Sequence, residues 1–462
     1  MVSFVDIARY LPSIREPEKE QSLKEMLAWT GVVLVLYFVL GSINVYGADS
    51  SAVAQALSRL ETFQTLLGAQ IGSIITLGIG PIVTSSIVLQ MMVGSELLNW
   101  NTNTQEGKQK FQAAQKVLAY SLTLVEAFGW VLSGNFGPVA GDPMLVTLLA
   151  GQITIGGWLV ILMDDLIQKW GFGSGTGLFI AAGVSKSVYI SVISPLTSTG
   201  QFYWSVSGTA NPVGAFFQFM TSFDPTTLLP IISTILVFSA VVYMQSMKVE
   251  IPLTFGNVRG FGQKWPLKFL YTSNMPVILI AALVTNFQII GSSLAGSSGC
   301  SILGCFSNGQ AQSGLVYLLQ APTQTVTTLL QSGSIGLSGI GHILVYVGVY
   351  SFGSILFSIF WMRTSGQDAD SVADQIQNTG MKVPGFRKDK RVIKKVLNRY
   401  IPSLTILSGF AVGLLAALAN MTQAAGGGTG ILLTVMILYQ MYEQLAQKHM
   451  EELHPAMKDF LQ

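Results

Sequence analysis

Apolar runs of about 20 residues, enough to cross a bilayer as a helix, recur ten times along the chain. They centre on residues 27–46, 71–93, 117–132, 144–163, 177–196, 228–247, 276–291, 343–361, 403–421 and 430–441. Two further stretches, 201–223 and 292–341, are ambiguous by hydropathy alone. The second run differs from the rest, because Gly78-Ile79-Gly80-Pro81 cuts the apolar stretch 61–94 in half. Proline removes a backbone N–H and disfavours helix at the residue before it, and glycine adds no helix propensity. The break predicts a half-helix over 62–77 and a second helix over 81–93. Backbone groups freed at membrane depth are tolerated only where protein or a water-filled cavity satisfies them, so an internal cavity is expected beside it. Transporters, channels and ordinary membrane bundles all use such half-helices.

Half of the 462 residues are hydrophobic, 10% are charged and the mean hydropathy is +0.53. Soluble chains carry roughly 25% charged residues, so this is an all-α polytopic membrane protein. Basic residues gather at the N-terminus, at Lys108/Lys110/Lys116, at Lys169, at Lys248/Arg259/Lys264/Lys268, from Arg363 to Arg399 and at Lys448/Lys458. With ten spans, only Arg59 and Lys186 fall on the other side. Counting 292–341 as a further span would put the two most basic loops on opposite faces, against the positive-inside rule. That stretch and 201–223 are therefore expected as external loops, with both termini cytoplasmic. Residues 1–25 set Phe4, Ile7, Ala8 and Leu11 against Arg9, Arg15, Lys19 and Lys24, as in an amphipathic helix lying on the cytoplasmic face; a solvated tail is the alternative. No small-residue cleavage site follows the first apolar run, which is expected to stay as a span of a cell (plasma) membrane protein. Ten spans divide as five plus five, an N-terminal half over 26–211 and a C-terminal half over 212–462. Helix breakers near the start of each half, Gly78–Pro81 and Asn274-Met275-Pro276, are what an inverted repeat would show.

Motifs with chemistry are scarce. The glycine-rich stretch 171–177 has no Lys-Ser/Thr after it to hold phosphate, so it predicts tight packing at the start of the fifth span rather than a P-loop. His449 and His454 lie on different helical faces, and His342 stands at a span end; no metal, no cofactor and no enzymatic activity are expected. Cys300 and Cys305 share an external loop, where a disulfide or a free pair would both fit. Ionisable residues within the spans are Glu126, Asp164, Asp165 and Lys186. Coupled transporters need such groups at the midplane, which keeps an ion-coupled secondary transporter open, alongside a structural membrane scaffold. Glu126 satisfied by hydroxyls and amides of neighbouring helices fits equally well. Two cytoplasmic loops stand out, 247–271 and 364–401. The first alternates apolar and polar residues around Gly256-Asn257-Val258-Arg259-Gly260, predicting a β-hairpin with Arg259 near its tip. The second carries eight Lys/Arg between Lys382 and Arg399, which anionic lipid or a polyanion such as RNA would attract. A tip arginine that projects away from the membrane favours the macromolecule.

Five stretches carry a family resemblance: ITLGIGPIVTSSIVLQMMVG (75–94), WGFGSGTGLFIAAGVS (170–185), the loop 255–279 with FGNVRG and FGQKWPLKFLYTSNMPVIL, VPGFR (383–387) and 426–445 with GGGTGILLTV and YEQL. In order and spacing, nearly end to end, they resemble the SecY family, the central (alpha) subunit of the Sec protein-conducting channel, archaeal in type at the C-terminus. The resemblance implies two inverted five-helix halves closed like a clamshell around an hourglass pore. It implies a protein translocase, passing unfolded secretory polypeptides across the membrane and releasing signal or transmembrane segments sideways into lipid. A pore ring would be formed by Ile79, Val83, Ile180, Ile278 and Leu433; Ile79 and Val83, four apart, share a helical face. The sixth ring position falls on Thr176, where the family more often has an aliphatic residue. The half-helix 62–77 resembles the plug, with Leu66, Leu67, Gly68, Ala69, Gly72 and Ser73. Thr84, Glu126 and Asn286 match the polar cluster of the lateral gate. Arg259, Lys264, Arg387 and Lys388 match the ribosome-binding loops. The implied partners are the SecE (gamma) and beta subunits, the ribosome, signal peptides and nascent chains, and anionic lipid, with no small-molecule substrate.

Overall fold

The computed structural model describes residues 8, 10–19, 21–59, 64, 67–94, 97–98, 100, 104–137, 142–197, 201–205, 212–255, 262–272, 274–295, 300–301, 303–307, 310–323, 325, 328, 336–378, 381–382 and 390–453. The N-terminal part holds α1 (Leu23–Ser42), α2 (Ser50–Arg59), α3 (Gly80–Gly94), α4 (Gln105–Leu132), α5 (Pro143–Trp170) and α6 (Gly175–Ile193). After them come α7 (Ala215–Ser222), α8 (Leu229–Ser246), strands β1 (Lys248–Phe255) and β2 (Gly262–Lys268), and α9 (Met275–Ala295). The chain continues with β3 (Cys300–Ser301), β4 (Gly304–Ser307), β5 (Gln310–Gly314), α10 (Leu315–Leu318), α11 (Leu337–Thr364), α12 (Ala369–Asn378), β6 (Met381–Lys382), α13 (Lys390–Met421) and α14 (Gly428–Leu453). Among the described residues, five helices of 15 residues or more precede residue 212 and five follow it.

Helices α1, α5, α6, α8, α11 and α13 are each long and apolar enough to cross a membrane, and α3 and α9 are shorter apolar helices; the chain is a multi-pass membrane protein. Local signals set the helix ends. Ser22 and Glu25 form a capping box at the start of α1, and Asp142 accepts the N–H groups of Met144 and Leu145 just ahead of Pro143 on α5. The helix expected over 1–25 does not run through: residues 12–19 are extended or bent, because Pro12 and Pro17 withhold N–H groups and bias the preceding residues away from helix. This segment is strapped to α4 and α5 instead. Ile14 N–H donates to Asp165 Oδ2 (2.8 Å), Lys169 Nζ to Ile14 O (2.6 Å) and Trp170 Nε1 to Arg15 O (2.7 Å).

The helices before residue 212 meet those after it mainly along two seams, α6 against α14 and α3 against α9 and α11. Small residues let the backbones close up, as membrane helices require. A Cβ on Gly177 would stand 3.3 Å from Ile437, and one on Gly94 3.0 Å from Phe360. Gly409 and Gly413 do the same between α13 and α11. One apolar core runs through both groups of helices.

A second, smaller core lies at the basic end, as Ile251 and Leu267 of the hairpin meet Ala373 and Ile376 of α12 and Ile393, Leu397 and Ile401 of α13. β1 and β2 pair antiparallel from Lys248↔Lys268 to Thr254↔Gly262, as the alternation predicts, and β6 adds to the free edge of β1. The tip, 256–261, lies outside the described residues. The stretch 364–401, expected as a loop, is largely helical: α12 fills its start, and the first 12 residues of α13 project beyond Pro402. Ile393, Leu397 and Ile401 recur every four residues on the buried side, a helical period hidden among the lysines. On the other side of the molecule α9 reaches Ala295, and β3, β4 and β5 form a small sheet in which Cys300 and Cys305 pair directly and are joined by a disulfide.

Candidate functional site

The break in the second apolar run is a backbone knot. Gly78 adopts φ +53°, and a Cβ there would lie 2.3 Å from the Leu67 carbonyl oxygen. That carbonyl accepts the Ile79 N–H at 2.8 Å. The chain thus folds back on itself and α3 restarts at Gly80-Pro81, where proline is at home in a first turn. The half-helix expected over 62–77 is not one across its described end: residues 67–79 form successive turns. Gly68, Gly72 and Gly78 all have positive φ, which right-handed helix excludes.

Contacts from four helices shape these turns. The Tyr37 hydroxyl of α1 donates to Gly68 O, and the Tyr37 ring stacks on Phe179 of α6 at 4.8 Å. Val53 of α2 fills the space beside Gly72, and Gly156 of α5 leaves room for the Ile74 carbonyl. Val45 N–H to Gly72 O (2.9 Å) and Ile74 N–H to Ile43 O (3.0 Å) tie the segment to the end of α1. Leu67, Gly68, Ala69, Gly72 and Ser73 are all buried here; Leu66 lies outside the described residues.

Ile79, Val83, Ile180, Ile278 and Leu433 come from the knot, α3, α6, α9 and α14, and each is 7% exposed or less within the single main core. Two of them lie on helices that pack against each other, α6 and α14. Gly173, just before α6, faces Met441, and Gly177 in its first turn faces Ile437. Thr176 stands half-buried in the first turn of α6, its hydroxyl 2.8 Å from Ser174 Oγ and its N–H donating to Asp164 Oδ1 at 2.8 Å. Its polar atoms are thus occupied by the N-terminal cap of α6.

Thr84 links the remaining polar residues. Its hydroxyl hydrogen-bonds the Glu126 carboxylate, whose Oε2 would lie 3.4 Å from a Cβ on Gly80. The carboxylate rests at the N-terminal turn of α3, where the helix dipole favours negative charge. Thr84 also lines a cavity of about 180 Å³ between α3 and α9, together with Ile87, Leu283, Asn286, Phe287 and Ile290. Glu126 is not among the residues lining it.

Of the loop cations, Lys264 sits on β2 opposite Pro252, while Arg259, Arg387 and Lys388 lie outside the described residues. Among the described basic residues between 382 and 399, Lys390 pairs with Asp374 at 2.7 Å and Lys394 with Asp370 at 2.5 Å. Three features escaped the sequence reading. Asp164 caps α6 from α5, Tyr37 is a single hydroxyl inside an apolar run, and Lys268 at the hairpin base pairs with Glu443 on α14. Glu443 lies inside YEQL, the one available signal.

The SecY family model matches residues 73–442. The chain belongs to the SecY family. The protein translocase subunit SecY of Methanothermobacter thermautotrophicus is 41% identical over 99% of this chain and 98% of its own length. A solved protein-conducting channel superposes with a TM-score of 0.82 at 39% identity, covering 98% of this chain and 99% of that one. Sec61 in the canine ribosome-channel complex from the endoplasmic reticulum gives a TM-score of 0.79 at 39% identity, with 98% and 99% covered. This SecY-family chain therefore shares its fold from end to end with channels of both kinds.

Proposed function

We propose that this SecY-family chain, a protein-conducting channel subunit, passes unfolded polypeptides through a waist formed by Ile79, Val83, Ile180, Ile278 and Leu433. What supports this reading is that all five aliphatic side chains, drawn from both sides of residue 212, are buried in the same apolar core. Such a ring offers no hydrogen-bonding groups, so a narrow constriction dewets and blocks ions. A moving chain meets no directional contact that it must break. In this reading the ten long helices form two inverted five-helix halves, hinged near residue 212, and the turns over 67–79 are the resting plug. The α3–α9 seam is the lateral gate, with Thr84, Glu126 and Asn286 as its polar cluster. Arg259, Lys264, Arg387 and Lys388 on the hairpin and the 364–401 segment dock the ribosome, and anionic lipid attracts the remaining basic residues. Single-span SecE (gamma) and beta subunits complete the channel, and both termini are cytoplasmic. Photo-crosslinkers at positions 79, 278 and 433 should capture a stalled nascent chain; crosslinks to lipid alone would refute the waist.

A further inference from the structure

Residues 187–223 contain no charged side chain, and the part of this stretch that joins α6 to α8 is bound back onto the end of α6. Tyr203 N–H donates to Pro195 O (3.1 Å), Val213 N–H to Leu196 O (2.8 Å) and Gly214 N–H to Ser194 O (3.0 Å). A Cβ on Gly214 would lie 2.6 Å from Ser194 O, so α7 begins in direct contact with the end of a span. At its other end Asp224 caps the turn Pro225–Leu228 that opens into α8, accepting Thr226 N–H at 2.9 Å. α7 is thereby held at the level where two membrane helices end.

One face of α7 has no partner among the described residues. Phe216, Met220 and Phe223 follow at i, i+4 and i+7, and are 48%, 55% and 76% exposed. The opposite face is polar and closed on itself: Gln218 Nε2 donates to Pro212 O (2.9 Å), and the hydroxyls of Thr221 and Ser222 donate to Gln218 O. Tyr203 connects α7 to a second aromatic group, with its ring 5.6 Å from Phe217 and 5.1 Å from Trp204, which stacks on Phe202. Phe202 and Trp204 are exposed as well.

We propose that α7 and the Phe202–Trp204 cluster lie in the headgroup–acyl boundary of the leaflet where α6 ends, anchoring the link between the two groups of helices to lipid. An apolar stripe backed by hydroxyl and amide groups, with amphipathic aromatic rings beside it, is the composition of that boundary. The stripe also continues a surface that the chain already gives to the bilayer. Tyr189, Ile190 and Ile193 on the last turns of α6, and Ile232, Ile235 and Leu236 on the first turns of α8, are exposed and apolar in the same way. The placement holds for any multi-pass role of the chain and does not depend on the waist.

The native disulfide leaves no free thiol, so a single introduced cysteine can carry a nitroxide alone. Phe216→Cys, Met220→Cys, Thr221→Cys and Ile235→Cys chains would be reconstituted in phosphatidylcholine–phosphatidylglycerol vesicles and relaxed by oxygen or by a nickel chelate. Labels at 216 and 220 should match the lipid-facing label at 235, with oxygen at least threefold more effective, while 221 should favour nickel. Nickel dominance at 216 and 220 would place the stripe in water. Shielding from both relaxants would place it under a protein partner. Either result overturns the proposal.

Discussion

Alanine at position 78 is the sharpest test of the backbone knot. The left-handed conformation there, φ +53°, costs an L side chain about 1–2 kcal/mol. The new Cβ would also lie 2.3 Å from Leu67 O and 2.7 Å from Ala69 N. Both are backbone atoms, and Leu67 O cannot retreat without releasing the Ile79 N–H it accepts. On the proposed plug reading, the strain belongs to the resting turns alone and is relieved once they leave. Since about 1.4 kcal/mol is a factor of ten, Gly78→Ala should shift the resting equilibrium about tenfold or more toward plug-displaced states. Purified channels in planar bilayers would report this as a rise of that order in resting ion conductance. Gly31→Ala, where nothing stands within 4 Å of an added Cβ, should leave the conductance unchanged. If Gly78→Ala channels assembled at wild-type yield and stayed as tight as wild type, the turns would not be the seal.

Three further outcomes are expected. Glu126→Leu and Asn286→Leu each remove a polar group from the α3–α9 seam, and translocation of substrates with weakened signal sequences should change in both; unaltered stringency in the two variants would dissociate the seam from signal recognition. Arg259→Glu and Arg387→Glu together should abolish ribosome co-sedimentation at physiological salt, and retention by the double variant would assign docking elsewhere. Lys268→Met and Glu443→Gln should show a coupling of about 0.2–1 kcal/mol in a thermal double-mutant cycle, because both side chains are partly exposed and the pair is screened. Strict additivity would mean that the hairpin does not lean on α14.

Apolar length and helix breakers were legible in the chain. Each apolar run overlaps one of the long helices, six of which are long and apolar enough to cross a membrane, and the hairpin formed where the alternation pointed. The turns over 67–79 were not legible, because they depend on partners far away in sequence. Gly68, Gly72 and Gly78 become left-handed only against Tyr37, Val53 and Leu67, and from composition alone the same residues pass for a slim helix. The basic stretch 382–399 misled in another way. Counting lysines obscured the four-residue recurrence of Ile393, Leu397 and Ile401, and spacing could not tell that Lys390 and Lys394 already face aspartates on α12. Register between helices was equally hidden, since the packing of α6 on α14 is read only from Gly173 and Gly177 facing Met441 and Ile437.

The polar atoms nearest the waist bear on how it would sort its cargo. Glu126 is held by Thr84 at the start of α3, and Thr176 by Ser174 and Asp164 at the start of α6. Neither is left without a partner to take hold of a passing peptide group. What remains for a segment halted at the α3–α9 seam is the balance between water and lipid, about −0.5 kcal/mol for a leucine and roughly +3 kcal/mol for a charged residue at span centre. Ten leucines then favour sideways release by about 5 kcal/mol, and two central charges are enough to cancel it. A waist with a free carboxylate or hydroxyl would add its own preference to that balance, and the threshold would then vary with the cargo's hydrogen-bonding groups. On the proposed reading, the satisfied state of Glu126 and Thr176 is therefore as much a condition for sorting by hydrophobicity as the ring itself.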